Sequence, residues 1–389
     1  MNIPKNSILV VFASILMILP AEAQLSDNLR ISGYTQGMAL RISAEMPEPI
    51  GNETWLEYRI QNRLNVVWYP GSNWGFHWQM RTRLFAGDLV SDIPGYANAI
   101  DTDDGLANLS WMPVDRNSWL LHYIPDRLYM EYDSGHWNIR VGRQRVNWGV
   151  AMITNPNDLF NIYSFYEFDY IERPGSDAVR IQHFLGFGSR LELVVSPDRE
   201  IENSVAGLLY SFHSGGYDVQ LIGAYYRNRL AAGTGFAGNL FEAGLKGETM
   251  FYFGERHKNG DSNFNAIITL SLDYMFSSGL FVVTEALYNK DGGRDEFQLL
   301  AEDLSPDNPS FSTWQFSTQG TYPIHPLIDG TLALIYYPDE DAVFIAPSMQ
   351  WSVITDLDFL INAQFFLSGS NSAFNNAGNL VAASLRYSF

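Results

Sequence analysis

The 389-residue sequence contains no cysteine, which excludes disulfide staples, thiolate metal sites and a cysteine nucleophile. Charge is scarce. Asp, Glu, Lys and Arg together make 17% of the chain, against about 25% in an ordinary soluble domain. Lysine is confined to Lys5, Lys246, Lys258 and Lys290, so the positive charge is almost all arginine, the residue suited to fork-shaped contacts with carboxylates in confined spaces. Beyond the N-terminus no segment approaches the roughly 18 consecutive apolar residues of a membrane-spanning helix. Catalytic signatures are missing too. The histidines (His77, His122, His136, His183, His213, His257, His325) form no His-x-x-x-His pair, and there is no Gly-x-Ser-x-Gly elbow or phosphate loop. These absences argue against an enzyme, a metal centre and a bound cofactor. A formal net charge of −19 argues against nucleic acid as a partner.

Aromatics, in contrast, reach 14%, and Gly 32 stands beside Pro 17. The N-terminus reads as a leader peptide over residues 1–23. Lys5 supplies a weak positive region, Ile8 to Leu19 an apolar core, and Ala21-Glu22-Ala23 a small-x-small cleavage pattern, so that the mature chain is expected over 24–389. From Leu29 onward the chain alternates with period two. Tyr58, Ile60, Leu64, Val66 and Trp68 share one face of a strand, and Glu57, Arg59, Gln61, Arg63 and Asn65 share the other. Pro70-Gly71-Ser72-Asn73 turns the chain, and the return strand sets Phe76, Trp78, Met80, Thr82 and Leu84 against His77, Gln79, Arg81 and Arg83. Polar-in, apolar-out alternation over about ten residues, with short turns alternating with long loops, predicts an all-β, transmembrane antiparallel barrel. A first strand count is odd. The parity of a barrel with both ends on one side then assigns Arg229–Gly238 as a further strand, turning at Asn239-Leu240, and gives about 18 strands, with about 16 as the fallback.

Two loops stand out. Residues 86–118 carry Asp101, Asp103 and Asp104. This acidic run lacks the later bidentate Glu of an EF-hand loop, so a solvated acidic loop is the expectation and a divalent-cation site the alternative. The other loop lies within Gly142–Arg180, with its inner part at about 147–175. It combines turn formers (Asn155-Pro156-Asn157-Asp158 and Arg173-Pro174-Gly175) with Trp148, Phe160, Tyr163, Phe165, Tyr166, Phe168 and Tyr170. A loop so long and so aromatic is expected to fold toward the lumen rather than into solvent. Asp158 is placed as a candidate N-cap of a short helix starting near Leu159.

The last strand, Asn379–Phe389, puts Val381, Ala383, Leu385, Tyr387 and Phe389 on one face, with Phe389 terminal. Here the chain resembles Gram-negative outer-membrane β-barrels. That resemblance implies that Leu385, Tyr387 and Phe389 form the signal read by the outer-membrane assembly machinery, and that the other partners are outer-membrane lipid and small polar solutes. The central stretch, with Trp148-Gly149, Asn155–Asn161 and Arg173-Pro174-Gly175, is similar to porin-type outer-membrane families. This similarity implies a conducting barrel with an ordered inner loop. A homo-oligomer is left open.

On the alternation, Arg59, Arg63, Arg81, Arg83, Arg140, Arg180 and Arg190 face the lumen, together with Glu131. The loop offers Asp158, Glu167, Asp169, Glu172 and Asp177. Wall arginines facing loop acids would set a transverse field at a constriction. The competing reading is that these charges only pair to hold the loop. Arg143 and Arg145 point at lipid on straight alternation, unless a bulge at Gly142 re-aims them. The expected function is passive diffusion of small hydrophilic solutes. The alternative is a closed barrel acting as an adhesin or scaffold through its long acidic loops.

Overall fold

The computed structural model describes residues 23–389 apart from 47–50, 104, 162–171, 255–262, 293–303, 370–371, 373 and 375–376. Nearly all of the leader peptide, together with Asp104, Glu167 and Asp169, therefore lies outside the described residues. The alternating segments form strands β1 (Ala23–Ser26), β2 (Leu29–Met46), β3 (Gly51–Trp68), β4 (Trp74–Gly87), β5 (Trp111–Arg116), β6 (Trp119–Asp133), β7 (Trp137–Gln144), β8 (Ser176–Gly186), β9 (Ser189–Ser196) and β10 (Val205–Ser214). They continue as β11 (Tyr217–Tyr226), β12 (Arg229–Leu240), β13 (Ala243–Phe253), β14 (Phe264–Met275), β15 (Phe281–Asn289), β16 (Trp314–His325), β17 (Ile328–Tyr337), β18 (Ala342–Ile354), β19 (Leu357–Ser368) and β20 (Asn379–Ser388).

Each strand pairs antiparallel with the next in the wall, and β20 returns to pair with β2. Of the twenty strands, β1 only extends the β2 edge below β20, and β5 only extends β6 above β7. The remaining eighteen close a barrel. With strands about 4.8 Å apart and tilted about 40°, its backbone diameter is roughly 35 Å. The glycine-rich segment is a wall strand, β12, but its turn falls at Phe241-Glu242 rather than Asn239-Leu240. Phe241 adopts φ 57° there, the left-handed geometry of a tight hairpin.

Both described chain ends and the short turns at 69–73, 134–136, 187–188, 215–216, 241–242, 276–280, 326–327 and 355–356 lie at one end of the barrel. The long connections at 88–118, 145–175, 254–263, 290–313 and 369–378 lie at the other. The outer face is apolar and exposed along its middle (Val141, Val179, Leu193, Leu221, Ile268, Leu270, Leu332, Val381). Exposed aromatics ring it at both levels: Trp68, Trp74, Trp137, Tyr322 and Trp351 toward the termini, and Tyr225, Phe253, Phe264, Trp314 and Tyr336 toward the long loops. On β16, Trp314 and Tyr322 share the outer face and are separated by roughly 20 Å along the barrel axis, the height of a lipid-facing band.

The seam closes on the last residue. Gly33 N donates to Phe389 O at 2.8 Å, and Phe389 N donates to Gly33 O at 2.9 Å. A side chain at position 33 would place its Cβ 2.0 Å from the Arg63 carbonyl oxygen and 3.0 Å from the Phe389 ring. Gly33→Val is therefore expected to lower the yield of folded barrel sharply, because overpacking by one or two methyls costs about 1–3 kcal/mol even where neighbours can yield. The shift between folded and heat-denatured bands on a gel measures that yield, and a wild-type yield would show that close approach at the seam is not required.

The connection 88–118 keeps Asp88, Asp92, Asp101 and Asp115 exposed, as expected of a solvated acidic loop, but it also packs apolar residues inward. It contains helices α1 (Asp88–Asp92) and α2 (Tyr96–Ile100) besides β5, and it folds into the mouth of the barrel. Leu89 and Tyr96 are buried against the inward-facing Met38, Leu40, Phe85, Leu120 and Leu380. The wall at this level is apolar on its inner face as well as its outer one, so apolar residues of the insert bury there while its acids Asp88, Asp92, Asp101 and Asp115 stay exposed.

Candidate functional site

The inward face of consecutive wall strands carries an arginine at every step: Arg59 and Arg63 on β3, Arg81 and Arg83 on β4, Arg127 on β6, Arg140 on β7, Arg180 on β8 and Arg190 on β9. Several stand directly opposite one another, Arg63 beside Arg81 and Arg140 beside Arg180. Like charges so placed destabilise a sheet. Wall carboxylates compensate. Glu57 pairs with Arg59 at 2.6 Å, Glu131 with Arg140 at 2.8 Å, and Glu192 with Arg180 at 2.7 Å and Arg190 at 3.3 Å. Asp126 pairs with Arg63 at 2.5 Å. It projects inward because the β4–β6 register slips between Gln79 and Met80, a bulge that re-aims one side chain. Arg81 donates to Gln61 at 3.1 Å, and Arg83 to His122 Nδ1 at 3.0 Å. Arg127 donates to the main-chain oxygens of Asp126 and Arg173.

The central loop crosses from β7 to the opposite wall. Trp148 is fully buried with Val146 and Leu159 among inward residues of β8–β15, including Leu209, Ile222, Met250 and Leu287. Glycines make the seat. A Cβ at Gly207 would meet the Trp148 ring at 2.7 Å, and one at Gly235 would meet Asn157 Nδ2 at 3.0 Å. Trp148 Nε1 donates to Glu192 Oε1 at 2.9 Å. Thus Glu192 joins the arginine wall to the loop. A third inward cluster, Phe311, Tyr337, Phe344 and Phe374, holds the last two long connections against β17 and β18, and Asp307 pairs with Arg229 on the β12 wall at 3.2 Å.

The loop acids are placed differently from one another. Glu172 meets the arginine wall, 3.3 Å from Arg63, and accepts from Tyr34 Oη at 3.1 Å. Asp158 turns back into its own loop, accepting from Trp148 N at 3.0 Å and pairing with Arg173 at 3.3 Å. Residues 159–161 are not helical, so Asp158 caps no helix at Leu159. Its carboxylate meets the N–H of a residue ten positions back. Burial pushes the Asp158 carboxyl up to about 6, against the lowering effect of that N–H and of Arg173. Asp177 lies on the outer face, in register with Arg143. There Arg143 bonds Asp177 and Asp103, both at 2.8 Å, so the outward direction expected from alternation holds and the 101–109 segment covers it. Burial works against the Asp103 charge, but Arg143 and the N–H groups of Leu109 and Gly105 hold its carboxyl below the usual range. Asp101 accepts from Ser110 Oγ. Asp101 and Asp103 thus bond within the protein, and the adhesin reading has no support. Among the described residues no group of three or more His, Asp or Glu is arranged to hold a metal ion.

Sequence reasoning passed over Glu57, Arg127, Asp126, Glu192, Glu248 and Glu285 as site residues. Glu57, Glu192 and Arg127 lie in segments whose alternation already pointed them inward. Asp126 needed the bulge to be known, and Glu248 and Glu285 needed the path of the loop.

Fold and wall together define a class: a closed eighteen-stranded antiparallel barrel with an apolar girdled exterior and a charged inner wall against which loop residues pack. Among solved structures the chain is similar to OccAB3 of Acinetobacter baumannii, with 13% identity over 92% of this chain and 99% of that one and a TM-score of 0.57. It is also similar to the outer membrane protein OprD of Pseudomonas aeruginosa, with 9% identity over 92% and 93% and a TM-score of 0.55. OccAB1 of Acinetobacter baumannii gives 9% identity over 92% and 96%, with a TM-score of 0.56. At these identities the likeness is one of fold. No family model matches the sequence, and no curated protein matches it.

Proposed function

We propose that the chain is an outer-membrane, porin-like channel for passive diffusion of small hydrophilic solutes, with selectivity set where the central loop faces the arginine wall. The observation that carries this reading is the unbroken rank of inward arginines on six adjacent wall strands of a barrel wide enough to hold water. Among the described residues Arg59, Arg63, Arg81, Arg83, Arg127, Arg140, Arg180 and Arg190 line this wall, and Glu57, Asp126, Glu131, Glu192 and Glu172 pair into it. Fixed positive charge ranked along one side of a narrow pore, facing acids of an inner loop, orders water across it and favours strongly polar solutes over apolar ones. Glu167 and Asp169 of the same loop belong to this proposal as further acids opposite the wall. The fold shared with OprD, an outer membrane protein, and the girdled exterior support the outer membrane as its place. Leu385 and Tyr387 share the outward face of β20, with Phe389 just past its end at the seam, which supports their role as the assembly signal.

The test is single-channel recording of the refolded mature chain in a planar bilayer with a KCl gradient. Discrete steps with a reversal potential of the anion-preferring sign are expected. A folded protein that never conducts would remove the channel reading.

A further inference from the structure

The central loop is held by its main chain, and the groups that hold it are two carboxylates far away in the sequence. Glu248, inward on β13, accepts the N–H groups of Val150, Ala151 at 2.6 Å and Asn157 at 2.9 Å. Glu285, inward on β15, accepts those of Ile153 at 3.1 Å and Thr154 at 2.7 Å. Both carboxylates are almost wholly buried. Successive main-chain N–H groups converging on an anion form a concavity that is stabilised only while the anion is present. Here the protein supplies the anion from its own wall. On β12, directly beside Glu248, Gly235 provides the seat of the arm, where a Cβ would come within 3.5 Å of Val150 Cγ2. Side chains add to this grip, Asn157 Nδ2 donating to Thr234 O at 3.1 Å and Gln315 Nε2 to Thr154 Oγ1 at 3.3 Å, while the segment Val150–Thr154 (Val-Ala-Met-Ile-Thr) carries no charge of its own.

We infer that Glu248 and Glu285 are positioning residues that set the bore of the pore by clamping the 150–157 arm against the β12–β15 wall. The inference rests on the reading of the loop as the constriction. Wall arginines select; these glutamates decide how far the arm stands from the arginines. Glutamine at either site keeps an accepting oxygen but turns an amino group toward N–H donors. Loss of one charge-assisted bond shifts the docked-to-undocked ratio of the arm by roughly tenfold.

The chain lacks cysteine, so the test can use a clean cross-link. Glu248→Gln with Glu285→Gln is expected to raise unitary conductance and to add open-channel noise as the arm leaves and returns. Val150→Cys with Gly235→Cys, oxidised, is expected to restore wild-type conductance and quiet steps in that double variant, and reduction with dithiothreitol to reverse the rescue. The same cysteine pair in the wild-type background, which does not depend on the glutamine variant folding, is expected to form its disulfide, because the two positions adjoin while the arm is docked. Glutamine variants with wild-type conductance and noise would overturn the inference, as would a folded cysteine variant that does not cross-link. A loop-shortened variant recorded alongside separates the two levels. If it conducts more while the glutamine variants do not, the clamp fails and the constriction stands. If it too is unchanged, the constriction reading fails with it.

Discussion

Replacing residues 155–172 with a short Gly-Ser linker is expected to raise the unitary conductance by about twofold or more, since current follows open cross-section and an eighteen-stranded barrel is roughly 35 Å across its backbone. The cut removes Asn157 from Glu248 and Leu159 from its apolar seat. It leaves Trp148, with its bond to Glu192, at the root. The wall retains every strand pair, so folded yield and the gel shift on heating should stay near wild type. An unchanged conductance in such a folded variant would mean that the narrowest point lies elsewhere, the natural candidate being the α1–α2 insert, whose Leu89 and Tyr96 pack on Phe85 of the wall.

Arg81→Ala with Arg83→Ala is expected to move the reversal potential toward cation preference while leaving discrete steps. Two guanidiniums disappear from the most crowded part of the wall, and Glu57, Asp126 and Glu172 nearby then carry greater weight. Arg63→Ala should behave differently. Its carboxylate partner Asp126 is as buried as Arg63 itself, and removing one member of a buried pair costs about 3–5 kcal/mol because the other is left uncompensated. The arginine-63 variant should therefore lose thermal stability as well as anion preference, whereas the 81/83 pair should mainly lose selectivity. Reversal potentials in a salt gradient and melting by circular dichroism separate the two effects. An unaltered reversal potential in the 81/83 variant would show that the arginine wall does not govern permeation.

The barrel was legible because its rule is local. A period of two, repeated from Tyr58–Trp68 to Val381–Phe389, places one row on lipid and the other inside, and a strand such as β12 could be recovered by parity even where glycine blurs the pattern. The arginines were legible for the same reason. What the period cannot convey is where a loop goes once it leaves the wall. Met38, Leu40 and Leu380 are apolar yet face inward, a signal visible only when the α1–α2 insert is known to cover them. Glu248 looks like any inward polar residue of a barrel strand, and its role depends on N–H groups 91 and more positions away. Asp126 was hidden by a bulge, which shifts facing without changing composition. Charge complementarity alone does not sort the acids near the loop: Glu172 meets the wall, Asp158 turns back into its own loop and Asp177 lies on the outer face. The main-chain grip leaves no trace in side-chain chemistry.

The seam between Gly33 and Phe389 has a kinetic consequence. The contacts that close the ring join residues at opposite ends of the chain, such as Gln36 with Ser384, 348 positions apart. Nothing shorter can substitute for them, since every other wall pairing leaves β2 and β20 as open edges. A topology whose decisive contacts are so distant in sequence folds slowly. Throughout that interval two strands present unpaired N–H and C=O groups, which invite pairing with a neighbouring chain. The terminal phenylalanine therefore ends the period of aggregation risk, and the folding time of this barrel should be governed by the search of its last strand for its first.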